Sequence, residues 1–498
     1  MQRMALVWKS LSVACLALLC SAAEKAPRSL GDLSGNWWLA LDARVWESRG
    51  AASLRFHQFQ KYSGNPVLRA DKVWEGSMSY VYGTILPQED GGGLRMWYHA
   101  YVEDKAIFPA KHRYTTLYAT SGDGFHWKKP ELGLYSFHGS TANNLVLQRS
   151  DNPGASHSPN VMHTPGDPDP NRRYKMVTYV YYDGYYGSTS PDGIHWTDLP
   201  HRQILEDPGD VGNFVWDARR SAYIGYPKIF DEVRGFRRRC VGFSQTGDFA
   251  HWPKSRLILA PDEEDDRGYL TPDGRTEFYG LSAFPYQTIY LGFLWIYRLE
   301  DGDERIWPEL VYSGDGVKWA RVPAPRAPVL PLGVDGTWDD GMIFTPNHPL
   351  IRDGRVQLYY GAFDGPHNAR GRDGAIGLAS MRRDGFASLD AGATETAVTT
   401  AVFQGASGSL MVNADAQGGE LRAELLNAAG EPLAGYSRAD SEAFQGSKIE
   451  QKLRWKTKES LPTEPFRIRF WLRRAALYSF FAGEEASHAN ADASIAVD

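Results

Sequence analysis

The feature that most constrains this chain is a heptapeptide that recurs. Ser121-Gly-Asp-Gly-Phe-His-Trp127, Ser190-Pro-Asp-Gly-Ile-His-Trp196 and Ser313-Gly-Asp-Gly-Val-Lys-Trp319 are near copies. Thr246-Gly-Asp-Phe-Ala-His-Trp252 is a degenerate fourth and Met381-Arg-Arg-Asp-Gly-Phe386 a fifth. Their aspartates fall at 123, 192, 248, 315 and 384, so the spacings are 69, 56, 67 and 69 residues. A period of that size signals an array of similar supersecondary units. Asp-Gly supplies a tight turn whose Asp can cap backbone N–H groups, and the Trp packs under the turn at the next strand. The motif therefore reads as a structural device at a hairpin.

Before each copy lie short runs rich in aromatic and β-branched residues: Leu94–Tyr101, Tyr174–Tyr181, Ala222–Tyr226, Thr288–Trp295 and Val356–Ala362. Such runs read as strands. Composition agrees, with 50 Gly, 29 Pro, 16 Trp and 26 Tyr in 498 residues. A strand-rich unit of this length fits a four-stranded propeller blade with long connections. Five units predict an all-β chain with a five-bladed β-propeller over 55–393. Over 397–482 the motif disappears, while Leu421, Ala423 and Leu425, then Phe466, Ile468, Phe470 and Leu472, alternate with polar neighbours. This predicts a C-terminal β-sandwich packed on the propeller. Residues 24–54 read as an N-terminal extension, and the small, polar tail at 483–498 as disordered.

Residues 1–23 read as a secretory signal: Arg3 and Lys9, an apolar stretch Leu11–Cys20, then the small residues Ser21, Ala22 and Ala23. The expected location is secreted or periplasmic, with no membrane association after cleavage, since no later run reaches 18 apolar residues. Cleavage leaves Cys240 as the sole cysteine, which excludes an intrachain disulfide and multi-cysteine zinc sites. A net charge of -6 gives no basic footprint for nucleic acid. No Gly-x-Ser-x-Gly elbow, His-Glu-x-x-His motif or phosphate-cradling loop before a helix occurs, so serine hydrolysis, zinc proteolysis and phosphoryl transfer lack support.

The Ser-x-Asp-Gly-x-x-Trp turns, Gly64-Asn-Pro-Val67, and five blades followed by a sandwich resemble the five-bladed glycoside hydrolases of family 32 and its relatives in families 43 and 68. The resemblance implies a central pocket faced by three carboxylates from the innermost strands of different blades. The usual catalytic signatures of family 32, Asn-Asp-Pro-Asn, Arg-Asp-Pro and Glu-Cys, do not occur at the matching places.

Counting back from each turn places the inner-strand starts near Trp74-Glu75, His157–Val161, Asp210–Trp216, Glu277–Gly280 and Trp338–Ile343. Four of the five carry a carboxylate: Glu75, Asp210, Glu277, and Asp339 or Asp340. Like charges facing one pocket raise one another's pKa, which suits glycosidic cleavage by one protonated and one ionised carboxyl. The expected roles are Glu277 as general acid, Asp210 or Asp340 as base or nucleophile, and Glu75 as an orienting group. Trp74, Tyr80, Tyr279 and Trp338 are candidates to stack on sugar rings. His157, Asn160, Asn213 and Asp339 are candidates to bind hydroxyls. The function expected is glycoside hydrolysis of a poly- or oligosaccharide, the alternative a non-catalytic carbohydrate-binding propeller.

No cofactor is expected. The acidic stretches Asp262–Asp266 and Asp167–Asn171 offer oxygen ligands for a structural calcium, with a solvated loop as the alternative. The basic run Arg234–Arg239 either flanks the pocket, where it would favour an anionic glycan, or forms a charged outer face.

Overall fold

Five antiparallel meanders follow one another along the chain in a computed structural model that describes residues 29–30, 35–102, 114–149, 156–207, 209–300 and 302–484. The leader at 1–23 and the tail beyond 484 lie outside the described residues. Blade I runs Met78–Pro87, Leu94–Tyr101, Tyr114–Ser121 and Leu145–Leu147. Blade II is His157–His163, Tyr174–Val180, Gly184–Ser190 and Thr197–Leu205. Blade III is Gly212–Asp217, Ala222–Val233, Phe236–Thr246 and Arg256–Leu259. Blade IV is Arg275–Tyr286, Ile289–Leu299, Ile306–Ser313 and Trp319–Arg321. Blade V takes Met342–Phe344, Arg355–Phe363 and Gly374–Arg382 from its own unit. Its outer strand comes from the N-terminal side, where Gln60–Lys61 and Leu68–Arg69 pair with Gly374–Arg382. Asn65, in Gly64-Asn-Pro-Val67, bridges the gap between them, exchanging hydrogen bonds with both backbone groups of Leu378. The chain is all-β, its only described helices being three single 3-10 turns.

The innermost strands are buried along almost their whole length, as in Met78–Pro87, because blades press on both faces. Their axial edges are closed by a circuit of polar contacts. Val161 N–H donates to Thr84 Oγ1 (2.8 Å), joining blades II and I. Asn160 Nδ2 donates to the Gly212 carbonyl (2.9 Å), joining II and III. Ala283 N–H donates to Asn213 Oδ1 (3.1 Å), joining IV and III. Ser282 Oγ donates to the Thr345 carbonyl (3.3 Å), and Asn347 N–H to the Gly83 carbonyl (3.1 Å), closing IV to V and V to I. Backbone groups facing the axis have no ladder partner, so short polar side chains satisfy them. A Cβ on Gly83 would lie 2.0 Å from the Trp97 carbonyl, so this approach requires glycine.

The repeated turns clasp one blade to the next. In blade I, Asp123 Oδ1 accepts from the N–H groups of Phe125 and His126, both at 2.8 Å, and Gly124 takes φ +84°. The turns at Asp192 and Asp315 repeat this pattern. The carbonyl of each turn glycine then receives an aromatic donor from the preceding blade: Tyr359 Oη to Gly124, Trp97 Nε1 to Gly193, and Tyr226 Oη to Gly316.

The sandwich has one six-stranded and one four-stranded sheet. Phe466, Ile468, Phe470 and Leu472 all reach zero exposure on its inner face. Described parts of the stretch read as an N-terminal extension, 24–54, supply strands to it. Trp38–Leu39 pairs with Ala475–Gly483, Trp46–Ser48 with Thr396–Thr400, and Ser53–Phe56 with Ala387–Ala391. Trp46 packs edge-on against Phe470 and Phe480, the core aromatics that a sandwich made only from 397–482 would leave partly uncovered.

Candidate functional site

A cavity of about 510 Å³ opens where the inner strands begin. Tyr80 and Tyr82 come from the inner strand of blade I, Tyr279 from that of blade IV, and Met342 and Phe344 from that of blade V. The connections between second and third strands open on the same side. Tyr101 and Tyr114 flank that connection in blade I, Tyr181 begins it in blade II, and His367 and Arg372 lie on it in blade V. Residues 103–113 of the blade I connection lie outside the described residues.

Asp210 is the only carboxylate among the described lining residues. It stands two residues before the inner strand of blade III and keeps about a quarter of its side chain exposed, 26%. Lys228 ion-pairs with it, and Tyr181 Oη donates to it at 3.0 Å. Burial alone would raise this carboxyl, but the Lys228 ammonium, His157 and these hydrogen bonds hold it well below the usual carboxylate range. Asp210 is therefore ionised. Lys228 is lowered by burial, and its ammonium lies 4.3 Å from the Tyr279 ring centroid.

Two histidines complete the polar wall. His157 Nδ1 donates to the Asp210 carbonyl at 2.7 Å, which fixes the plane of the ring beside the carboxylate. His99 stacks beneath it, with centroids 4.8 Å apart, and its Nδ1 accepts from Ser158 N–H. His367 touches Tyr279 Oη through Nε2 (3.1 Å) and Tyr297 Oη through Nδ1 (3.2 Å). Burial first, then the cations Arg372, Arg239 and Lys228, lower His367 to about 4. The tyrosines remain protonated, since burial pushes Tyr80, Tyr82, Tyr114, Tyr181 and Tyr279 upward. The site thus offers the Asp210 carboxylate paired with Lys228, the Arg372 guanidinium, imidazoles, phenol donors and broad aromatic faces.

Of the residues singled out in the sequence, the cavity brings together Asp210, Tyr80, His157 and Tyr279. The others lie elsewhere. Glu75 is fully buried in the turn Val73–Glu75, where its oxygens accept from Asp71 N, Lys72 N, Ser79 Oγ, Tyr98 Oη and Lys129 Nζ. Glu277 is held between Arg239 and Arg275, so the apolar desolvation expected of a general acid is replaced by two cations. Asp339 pairs with Lys61 at 2.6 Å and Tyr360 at 3.1 Å, anchoring the outer strand of blade V. Asp340 caps Gly336 N–H inside its own turn. Trp74 donates to Asn144, and Trp338 stacks on Tyr360. Asn160 and Asn213 belong to the axial circuit.

The charged runs also find partners. Arg234 and Arg238 pair with Asp266, and Arg321 and Arg326 with Asp265, while Arg326 also takes Asp262. These arginines occupy the oxygens considered for calcium, and Arg238 is buried, so the basic run is not a free outer face. Asp167 pairs with Lys175, and Asp169 caps Asn171. Among the described residues no cluster of three or more His, Cys, Asp or Glu is placed to hold a metal ion.

Sequence reasoning missed Tyr82, Tyr101, Tyr114, Tyr181, Lys228, His367 and Arg372. A signal existed for Tyr101 and Tyr181, since two of the aromatic runs end in tyrosine where the chain leaves its second strand. Lys228 sits mid-strand among apolar residues with no such mark.

No known family model matches the chain, and no curated protein does. Among solved structures the chain is similar to an N-acetylgalactosamine deacetylase from F. plautii in complex with blood group B trisaccharide. Identity is 14%, coverage 69% of this chain and 97% of that one, and the TM-score 0.45. It is also similar to a β-1,2-mannobiose phosphorylase from Listeria innocua in complex with β-1,2-mannobiose, at 13% identity, 65% and 96% coverage and a TM-score of 0.44. A third likeness is to a structure from glycoside hydrolase family 130, described as mannoside phosphorylases containing hydrolases of β-1,2-mannosidic linkages, at 15% identity, 66% and 94% coverage and a TM-score of 0.43.

Proposed function

We propose that the protein is an exported, carbohydrate-active propeller that binds the end of a glycan in its axial cavity and cleaves a glycosidic bond there. The observation that carries this reading is the ionised Asp210 on a wall of protonated tyrosines and aromatic faces. Aromatic faces suit the C–H faces of a pyranose, while carboxylate, imidazole and phenols suit its hydroxyls. In this reading water adds to the anomeric carbon as the glycosidic C–O bond breaks, Asp210 takes the proton that the water loses, the departing oxygen takes one from bulk water at the mouth of the cavity, and His157 hydrogen-bonds a sugar hydroxyl. The paired carboxylates expected from the resemblance give way to a single one, since Glu75, Glu277, Asp339 and Asp340 are committed to structural contacts.

That same singleness favours one alternative, a propeller that binds glycans without cleaving them. Release of reducing ends and calorimetric glycan binding, measured side by side for wild type and Asp210→Asn, separate the two. Turnover in wild type that falls at least about 100-fold in Asp210→Asn supports cleavage, in line with general-base contributions of 10²–10⁴. Binding without turnover in wild type assigns the alternative. Neither binding nor turnover on a broad glycan panel would reject both.

A further inference from the structure

The described carboxylates around the cavity are held by groups other than Arg372, Glu304 among them by Tyr297 Oη beside His367. Asp210 is answered by Lys228, and Glu277 by both Arg239 and Arg275. Arg372, which lines the cavity, has no carboxylate partner among the described residues. Its Nη1 is spent on the carbonyls of Pro366, His367 and Ala369, so the loop itself holds the guanidinium in place. It lies over the Phe363 ring, 5.5 Å from the centroid, another cavity wall. Among the described residues Nη2 donates to none, and Nε is buried without a partner. A guanidinium anchored through one nitrogen and unpaired at the rest is pre-organised for an oxyanion, and elsewhere in this chain arginines on blades III and IV find carboxylates.

We propose that Arg372 makes this cavity selective for an acidic sugar, with a carboxylate or sulfate on the ring carrying the oxyanion. The proposal rests on the carbohydrate reading above and adds the substrate class. Asp210 does not oppose it, because Lys228 neutralises that carboxylate within the same wall. With Nη1 spent and Nε buried, Nη2 is the nitrogen left to meet the oxyanion, which a uronic acid carboxylate or a sulfate ester can supply equally.

The test is calorimetric titration at low ionic strength with glucuronic and galacturonic acids, their neutral parents glucose and galactose, and galactose 6-sulfate. Wild type is expected to bind an acidic sugar at least about ten-fold more tightly than its neutral parent, the order of one charge-assisted hydrogen bond. Raising the salt should shrink that ratio. Arg372→Gln should erase it and Arg372→Lys should keep part of it, with melting curves run on both to confirm folding. A gain confined to galactose 6-sulfate would assign sulfate as the oxyanion. Neutral sugars binding as tightly as acidic ones would overturn the selectivity while leaving the carbohydrate reading intact. No binding by any of the five would reject both.

Discussion

Tyr286 and Asp384 stand 98 residues apart and share a 2.6 Å hydrogen bond in which the phenol donates to Oδ1. Tyr286 ends the inner strand of blade IV, and Asp384 is the aspartate of the fifth and most divergent turn. The other oxygen, Oδ2, accepts from Ser479 Oγ of the sandwich, also at 2.6 Å. One carboxylate thus ties two blades to the C-terminal domain. Tyr286→Phe should lower stability by about 1.5–3 kcal/mol, the range for hydrogen bonds to charged groups. Chemical denaturation of the variant measures this, and an unchanged midpoint would remove the Tyr286–Asp384 bond from what holds blades IV and V together.

The axial circuit makes a second claim. Asn213→Leu would leave the Ala283 N–H without its acceptor and the Asn347 carbonyl without a donor. Two such losses should cost about 2–4 kcal/mol and loosen the propeller more than the sandwich. Hydrogen exchange at Ala283 reports it directly, and protection there as high as in wild type would contradict the role given to Asn213.

Acid sensitivity follows from buried imidazoles. His163 and His367 are both lowered to about 4, mainly by burial, against 6.5 when unfolded. Between those values the unfolded chain binds more protons, so stability rises with pH across this window and falls as pH drops through it. The melting temperature should decline from pH 7 to pH 5. The depressed Asp210 acts lower down, losing its contribution only as pH falls below the ordinary carboxylate value towards its folded pKa. His367→Gln should flatten the slope between pH 6.5 and 5; the same slope as wild type would place the titration elsewhere.

Trp46 tests the N-terminal strands of the sandwich. Trp46→Ala removes a ring that packs on Phe470 and Phe480 and should cost about 3–5 kcal/mol. Near-ultraviolet circular dichroism during denaturant unfolding should show the sandwich aromatics leaving early. A cost below about 1 kcal/mol would mean these strands decorate the sandwich without completing its core.

The blades were legible because their turns repeat: three heptapeptides fix where third strands end, and alternation at Phe466–Leu472 exposes the face of one sandwich sheet. Trp38–Leu39 and Trp46–Ser48, two and three residues long, are too short to show any period, so their place in the sandwich was not. The site was legible only in part, since counting back from a turn locates a strand start to within a few residues. That error left Glu75 in the turn before its strand, and Asp339 and Asp340 in the turn before Met342–Phe344. Shifts of one residue also exchange the two faces of a strand. Asp210 survived because the chain enters blade III from the cavity itself. Residues on second-to-third-strand connections, such as His367 and Arg372, converge only through closure of the ring, which leaves no local trace.

The N-terminal strands also set an order of events during synthesis. Residues 38–69 leave the ribosome early, yet their partners lie at 374–382, 387–400 and 475–483. Until those segments emerge, Trp38, Trp46 and the outer strand of blade V have nothing to bind. Blades I to IV can form in sequence, but the ring waits on Gly374–Arg382 to meet the outer strand of blade V, and the sandwich on Ala475–Gly483 to meet Trp38–Leu39. A nascent chain of this protein therefore carries an unpaired, tryptophan-bearing ribbon until the strands that cover it have been made, a period in which its strand edges stay exposed.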